Sequence, residues 1–278
     1  MDHPYPFERA YMARLKQRGL SSEQILRRLD NQGWNERHAR DLLEQSDGGQ
    51  GHLSRPEPPS AGGVSHVDAG GQVVRLLMRT MAPPTYLFGD FLTQGECEQV
   101  IDLCDGRLDR SRVFGEGDDT TPRGSVSRLR TSRQAGFRRG DHALVDQILH
   151  RAAALVQWPV EQMEGLQALE YGPGAEFAPH HDYFVPDAHG ALHRPWQRVG
   201  SLLIYLSTPA LGGATFFPDA GIEFAPWQGN ALLFTYTGSE RERALSLHAG
   251  APVGRGRKWL ATIFLTDRPT STRDRESP

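Results

Sequence analysis

Residues 199–217 read VGSLLIYLSTPALGGATFF, and this stretch decides the fold. Two apolar runs, 199–207 and 213–217, flank a segment with Thr, Pro and Gly, which favour turns. Runs this short are typical of buried strands rather than helices. The same pattern recurs in three further runs, at 166–171 (LQALEY), 231–237 (ALLFTYT) and 258–266 (KWLATIFLT). Short strands at this spacing predict a β-sandwich or barrel.

Two helices are predicted ahead of these strands. Residues 93–96 (TQGE) form a capping box in front of Val100, Ile101 and Leu103. Residues 141–157 carry apolar side chains on one helical face. Helices followed by strands predict an α+β fold, with helices packed on one face of a β double sheet.

The chain divides into four predicted parts. Residues 1–45 have helical patterning, with a capping box at Ser21–Gln24, and predict a small helical module that contacts another protein or its own core. Residues 46–73 are rich in Gly, Ser and Pro and predict a flexible linker. Residues 74–268 form the main domain, and 269–278 are expected to be a disordered tail.

Composition excludes several classes of function. A formal net charge of -3 offers no basic field for nucleic acid or anionic lipid, and no apolar run approaches the ~18 residues that span a bilayer. The N-terminus lacks a signal-peptide core, so export is not expected. Cys97 and Cys104, seven residues apart in a predicted helix, would lie about 10 Å apart, too far for a disulfide. Free thiols fit a reducing, cytoplasmic setting.

A candidate metal site lies in the sequence Pro179-His180-His181-Asp182-Tyr183. In an extended segment, His180 and Asp182 point to the same face, whereas His181 points to the other. His248, 66 residues beyond Asp182, can supply a third ligand. Two histidines and one carboxylate form a facial triad that leaves three positions of an octahedral iron(II) open.

Two other polar residues stand in apolar strands. Lys258 begins the run KWLATIFL, and a buried lysine needs an anionic partner, which a dicarboxylate cosubstrate would provide. The alternative is a charge exposed at the end of a strand. Tyr205 shares a face with Ser201 and belongs either to a polar pocket or to the plain core.

Five blocks in the region from about 85 to 268 resemble the catalytic domain of the prolyl 4-hydroxylase family of 2-oxoglutarate oxygenases. They are LFGDFLTQGECEQVIDL (87–103), RTS (130–132), YGPGAEFAPHHDYF (171–184), RVGSLLIYLSTPALGGATFFP (198–218) and HAGAPVGRGRKWLATIFL (248–265). The resemblance covers about two-thirds of the chain. It implies a double-stranded β-helix, or jelly roll, core with flanking helices.

The resemblance also implies roles for individual residues. His180, Asp182 and His248 would be the Fe(II) ligands, and Lys258 would hold the far carboxylate of 2-oxoglutarate. Tyr171, nine residues before His180, would lie near this cosubstrate, and Tyr205 would line the same pocket. The implied activity is hydroxylation of an unactivated C–H bond, with ascorbate as reductant.

Two substrate classes remain open from the sequence: a prolyl residue in a peptide or protein, and a free proline-like amino acid. Loops 109–129 and 184–197 are expected to select between them, and Arg130 is the best candidate to bind a substrate carboxylate. Two rival functions are a catalytically inactive binding or regulatory protein on the same fold, and a metal-dependent hydrolase or isomerase.

Overall fold

A computed structural model of the chain describes residues 15, 20–30, 43, 56, 58, 65–113, 125–126, 130–185, 192, 194–237 and 243–270. Helices and strands are numbered in chain order. The helices of the described part are α1 (Ser22–Asp30), α2 (Gln94–Asp102), α3 (Ala143–Val156) and a 3-10 turn (Val160–Gln162).

The strands of the described part pair into antiparallel sheets. The larger sheet has nine strands, in the spatial order β1 (His66–Asp68), β2 (Val73–Met81), β3 (Pro84–Gly89), β14 (Ala231–Thr235), β10 (Arg198–Tyr205), β17 (Lys258–Thr266), β8 (Leu166–Tyr171), β7 (Arg133–Phe137) and β4 (Asp109–Arg110). The smaller sheet has four, in the order β13 (Ile222–Phe224), β12 (Thr215–Phe217), β15 (His248–Gly250) and β9 (Phe177–His180). Two further pairs are β5 (Arg112–Val113) with β6 (Ser125–Val126), and β11 (Leu211–Gly212) with β16 (Val253–Arg255).

The larger sheet separates two apolar cores. One face packs against α2 and α3 through residues such as Val100, Ile148 and Leu202. The other face packs against the smaller sheet, where Leu203 of β10 and Phe217 of β12 share a cluster. The helices therefore lie on one face of a β double sheet, as predicted, and the arrangement is consistent with a jelly roll.

Burial on both faces explains why the sequence of the central strands is continuously apolar. In β14, Leu233 belongs to the helix-side core, while Leu232 and Phe234 belong to the core between the sheets. Each fully buried side chain of this size contributes about 1.5–3 kcal/mol. All five strands predicted from the short apolar runs are confirmed, two of them with the predicted bounds, 166–171 and 258–266.

Both predicted helices of the main domain are confirmed. The backbone N–H of Glu96 donates to Thr93 Oγ1 at 3.2 Å, and the N–H of Thr93 donates to Glu96 Oε2 at 2.8 Å, which completes the capping box. Arg151 of α3 pairs with Glu96 at 2.7 Å and ties the two helices together. Cys97 and Cys104 are free and buried, as predicted, and burial raises the pKa of both thiols to about 11.

Both predicted ends of the main domain need correction. Strand β1 lies inside the predicted linker, 46–73, and its Val67 packs in the helix-side core. The domain therefore begins by residue 65 rather than 74. The composition did not indicate β1, because this strand has only three residues, which are enough to pair with β2 at the edge of the sheet. At the other end, Thr270, predicted to lie in the disordered tail, donates from its backbone to Glu161 O at 3.0 Å. Residues 271–278 of the tail lie outside the described part.

One helix of the predicted N-terminal module is described. Helix α1 begins at Ser22, within the predicted capping box, in which the N–H of Ser21 donates to Gln24 Oε1 at 2.8 Å. Ile25 and Leu29 of α1 pack with Leu15 and Leu43. The remaining helices predicted for 1–45 lie outside the described residues, so the module stays a prediction. None of the helices in the described part has the length and apolarity that crossing a membrane requires.

The correction at β1 can be tested with a pair of substitutions on that strand. Val67→Asn should lower the free energy of unfolding by about 3 kcal/mol, because it removes a buried valine and buries an amide. His66→Asn is the matched control, since His66 is exposed, and its effect should stay within about 0.5 kcal/mol. Denaturant unfolding of both variants measures the difference, and equal, negligible effects would return residues 65–73 to the linker.

Candidate metal centre

The three predicted ligand residues meet at one edge of the smaller sheet. His180 ends β9 and pairs directly with His248, which begins β15, so the two imidazoles share a face. Asp182 follows β9 by two residues. One ligand atom from each of the three side chains lies within 4.8 Å of the others. This separation is short enough for one metal ion to bind all three side chains.

The carboxylate of Asp182 is the charged centre of this group. Its Oδ1 lies 3.5 Å from His180 Nε2 and its Oδ2 lies 3.6 Å from His248 Nε2. Burial would raise the pKa of Asp182, but the two imidazoles and a hydroxyl of Ser201 outweigh it and hold the pKa well below its usual range. Burial lowers the pKa of His248 to about 4. At neutral pH the site therefore holds an ionised carboxylate and a neutral His248, the forms that ligate metals.

Backbone carbonyls orient both imidazoles. His180 Nδ1 lies 2.8 Å from Ala178 O, and His248 Nδ1 lies 3.0 Å from Ser246 O. A carbonyl can only accept, so each Nδ1 carries a proton and donates it, and in neutral His248 the lone pair is therefore on Nε2. Both Nε2 atoms face the carboxylate, as ligating histidines require.

Aromatic rings also pack against the imidazoles of His180 and His248. Phe177 of β9 stacks on His180, with ring centroids 3.5 Å apart. Phe234 of β14 meets His248 edge-on at 4.7 Å. These contacts restrict rotation of the imidazoles, so the ligand nitrogens are held in place before any metal binds.

His181 does not join the metal group, as predicted from the alternation of side chains. Its ring packs against Tyr183 at a centroid distance of 4.7 Å. Its buried Nδ1 has no hydrogen-bond partner within the described residues. Burial lowers the pKa of His181.

Lys258 lies at the start of β17, directly opposite Tyr171 of β8, and only 3% of it is exposed. The alternative of a charge exposed at a strand end is therefore wrong. Its Nζ lies 5.5 Å from the ring centre of Tyr171 and 5.7 Å from that of Tyr205. No carboxylate among the described residues forms an ion pair with it, and burial lowers its pKa to about 8. Among the described residues the Lys258 ammonium is therefore buried without a compensating negative charge.

The neighbours of Lys258 in sequence face the other way. Trp259 packs against the helix-side core, and Arg257 forms an ion pair with Glu170 on that side of the sheet. Arg257 also remains 67% exposed. The alternation of side chains therefore places the Lys258 ammonium on one face of the larger sheet and Arg257 and Trp259 on the other.

Two tyrosines line the pocket around Lys258. Tyr171 is 5% exposed and Tyr205 is fully buried. The hydroxyl of Tyr205 donates to Thr215 Oγ1 at 3.0 Å, and burial raises the pKa of Tyr205. Tyr205 is therefore a neutral hydrogen-bonding residue between the two sheets, not part of a purely apolar core.

Arg130 lies beside β9 through an isolated bridge to Phe177. It is 7% exposed, and its guanidinium lies 5.1 Å from the ring centre of Phe177. Its Nε donates to Ser132 Oγ at 3.2 Å, and its Nη2 approaches Gln167 Oε1 at 3.4 Å. Both partners are neutral, and within the described part of the chain no carboxylate pairs with this guanidinium, which lies next to the ring that stacks on His180.

Sequence reasoning missed two polar groups that contact Asp182. Ser201 Oγ donates to Asp182 Oδ2 at 2.6 Å and lies 3.2 Å from Tyr236 Oη. Arg198 Nη1 donates to the Asp182 carbonyl at 3.2 Å and is held by Glu164 through contacts of 2.7 and 2.8 Å. One signal in the sequence pointed to Ser201, which is a serine in an apolar strand on the same face as Tyr205.

Comparison with known proteins agrees with this geometry. The sequence profile of the 2OG-Fe(II) oxygenase superfamily matches residues 166–266, which contain the metal group and Lys258. "Probable prolyl 4-hydroxylase 3" of Arabidopsis thaliana is 35% identical over 206 residues, which cover 66% of this chain and 69% of the relative. "Prolyl 4-hydroxylase 5" of the same plant is 34% identical over 200 residues, covering 65% and 67%.

The chain belongs to the prolyl 4-hydroxylase family of 2-oxoglutarate oxygenases. It is an Fe(II)- and 2-oxoglutarate-dependent hydroxylase. A solved viral collagen prolyl hydroxylase from Paramecium bursaria Chlorella virus-1, in complex with 2-oxoglutarate, has the same fold. It aligns with a TM-score of 0.51 and 24% identity, over 66% of this chain and 95% of the viral one.

Proposed function

We propose that the enzyme hydroxylates a prolyl residue within a peptide or protein segment, with iron bound by His180, Asp182 and His248. The observation that carries the proposal is the metal-ligand cluster together with the buried cation Lys258, which lie in the segment that matches the family profile. The relatives named as prolyl 4-hydroxylases support the prolyl residue over a free amino acid.

The donor set fits iron(II). Two imidazole nitrogens and one carboxylate suit non-haem iron and leave positions open for other ligands. When bound, iron and 2-oxoglutarate activate O2, of which one atom enters succinate as CO2 is lost and the other enters the substrate C–H bond. His180, Asp182 and His248 would hold the metal ion at the edge of the smaller sheet.

The pocket around Lys258 suits the distal carboxylate of 2-oxoglutarate. A buried ammonium flanked by the rings of Tyr171 and Tyr205 offers charge and hydrogen bonds at a site of low exposure, where electrostatic attraction is stronger than in water. Lys258 would bind the carboxylate, while Tyr171 and Tyr205 would shape the pocket on either side of it. The rest of the cosubstrate would then point toward the metal group.

Substrate would approach the site past Phe177 and Arg130. The guanidinium of Arg130 is suited to a carboxylate or a peptide carbonyl of the substrate. Loops 109–129 and 184–197 remain candidates for substrate selection, although residues 114–124, 127–129 and 186–191 lie outside the described part. Ascorbate is proposed as the reductant that keeps the iron ferrous.

The wider organisation of the chain is also a proposal. A helical module within 1–45, joined by a linker that ends before residue 65, would precede the oxygenase domain and contact another protein or that domain. Neither nucleic acid nor a membrane is proposed as a partner. Two buried free cysteines support a reducing, cytoplasmic setting.

Substitution of the three ligands should remove metal binding. His180→Ala, Asp182→Ala and His248→Ala should each weaken Mn(II) binding by more than about a hundredfold, beyond the usual effect of an outer-shell change, because a three-ligand site has none to spare. His181→Ala is the matched control and should bind like the parent. Calorimetric titration with Mn(II), a redox-stable substitute for Fe(II), measures all four. An equal loss in His181→Ala would contradict the assignment.

Lys258→Ala should weaken 2-oxoglutarate binding to the Mn(II)-loaded protein by two orders of magnitude or more, since removing one partner of a buried ion pair costs about 3–5 kcal/mol. Because the pKa of Lys258 is about 8, the ammonium is lost as the pH rises, and the parent should bind roughly tenfold more weakly at pH 9 than at pH 7. Lys258→Ala should lose this pH dependence.

Arg257→Ala is the control for this prediction, because Arg257 lies next in sequence on the opposite face. It should bind 2-oxoglutarate like the parent at both pH values. Normal affinity in Lys258→Ala, or a large loss in Arg257→Ala, would contradict the proposed pocket.

The substrate class is tested by mass spectrometry. Enzyme with Fe(II), 2-oxoglutarate and ascorbate should add one oxygen atom to proline-containing peptides and release one succinate for each hydroxylated residue. Asp182→Ala serves as the inactive control. Hydroxylation of free proline with none of the peptides would move the proposal to the free amino acid. Absence of all succinate formation despite Mn(II) binding would instead support an inactive binding protein.

A further inference from the structure

Behind the carboxylate of Asp182 lies a pair of buried hydroxyls. Ser201 is on β10 and is fully buried, and Tyr236 follows the end of β14 and is 2% exposed. The two strands pair so that Ser201 lies opposite Phe234 and Gly200 opposite Thr235. This register brings the Tyr236 hydroxyl to 3.2 Å from Ser201 Oγ, which itself lies 2.6 Å from Asp182 Oδ2.

The direction of these two hydrogen bonds is fixed by proton count. A serine hydroxyl has one hydrogen, and the ionised carboxylate of Asp182 can only accept, so Ser201 donates to Oδ2. The lone pairs of Ser201 Oγ are then free to accept, and the Tyr236 hydroxyl donates to them. Burial, and then the charge of Asp182, raise the pKa of Tyr236 well above its usual value, so the phenol keeps the proton that it donates. The chain therefore runs from Tyr236 through Ser201 to Asp182.

We propose that Tyr236 is a positioning residue of the metal centre, which acts through Ser201 to fix the carboxylate of Asp182 with Oδ2 engaged and Oδ1 available to the metal. The inference rests on the proposed assignment of Asp182 as a metal ligand. A carboxylate free to turn can bind a metal through either oxygen or both. A short hydrogen bond on one oxygen removes that freedom.

The ring of Tyr236 makes two further contacts, and a test must separate their effect from that of the hydroxyl. Its ring packs against Tyr183 at 5.6 Å and against Phe234 at 6.1 Å. Tyr236→Phe preserves the ring and these contacts and deletes only the hydroxyl oxygen. A purely structural tyrosine would therefore tolerate this change as far as metal binding is concerned.

The experiment is a double-mutant cycle on the Mn(II) dissociation constant, measured by calorimetry on the full chain. Ser201→Ala should weaken Mn(II) binding by roughly 10- to 100-fold, the usual effect of losing an outer-shell partner, and Tyr236→Phe by roughly tenfold, at the low end of that range. Because the two hydroxyls act in series, adding Tyr236→Phe to Ser201→Ala should weaken binding little further. Ser201→Thr, which keeps a hydroxyl, should restore most of the affinity.

Thr235→Val is the matched control. Thr235 is buried next to Tyr236, and its Oγ1 has no hydrogen-bond partner in the described part of the chain. Its loss should leave Mn(II) affinity unchanged. The absorption spectrum of the Co(II)-loaded protein gives a second reading, because it should change in Tyr236→Phe and not in Thr235→Val if the geometry of the carboxylate ligand has changed.

Three outcomes overturn the proposal: parent-like Mn(II) affinity and Co(II) spectrum in Tyr236→Phe, full additivity of the two losses in the double variant, or an equal loss in Thr235→Val. If Ser201→Ala does not fold, Tyr236→Phe and its control decide the matter on their own.

The variant Asp182→Ala separates this proposal from the ligand assignment on which it rests. Undiminished Mn(II) binding in Asp182→Ala would refute the ligand assignment, and with it the positioning role. Lost binding there, with normal binding in Tyr236→Phe, would refute the positioning role alone.

Discussion

The charge of one buried carboxylate organises the site. Asp182 lies between the sheets, where an ionised group is costly unless neighbouring groups compensate its charge. The structure supplies two imidazoles, a serine hydroxyl and the guanidinium of Arg198 on its carbonyl. These groups keep the carboxylate ionised, but the neutral imidazole of His248 does not cancel its charge. A divalent cation between the three side chains would do so, and this is the physical reason for proposing a metal ion at this cluster rather than a hydrogen-bonded core.

The double sheet makes such a site possible because the side chains of each strand alternate between the two faces of the sheet. In β17, Lys258 points into the pocket between the sheets, while Trp259 packs on the helix side. In β10, Ser201, Leu203 and Tyr205 face the smaller sheet, and the residues between them pack toward α2 and α3. The helix-side core stabilises the larger sheet without occupying the pocket. Polar groups can therefore be placed on one face at little cost to the packing of the other.

Much of this arrangement could be predicted from the sequence, and the alternation of side chains explains how. Strands buried on both faces appear as short apolar runs, so β8, β10 and β17 were predictable. The alternation of side chains along an extended segment placed Asp182 with His180 and separated both from His181. The ends of the domain were less predictable, because β1 has three residues among Gly and Ser and resembles a loop in composition. The role of Tyr236 depends on the pairing register of β10 with β14, which no local pattern specifies. The resemblance to the prolyl 4-hydroxylases supplied the identity of the cosubstrate, 2-oxoglutarate, which spacing alone left open.

The central claim is that one metal ion binds to His180, Asp182 and His248 beside a cationic pocket at Lys258. Anomalous diffraction from crystals of the Mn(II)-loaded protein, soaked with 2-oxoglutarate, tests it most directly. The expected result is a single manganese peak bonded to His180 Nε2, Asp182 Oδ1 and His248 Nε2, with the distal carboxylate of 2-oxoglutarate on Lys258 Nζ. A peak bonded to His181, or a cosubstrate whose distal carboxylate lies away from Lys258, would contradict it.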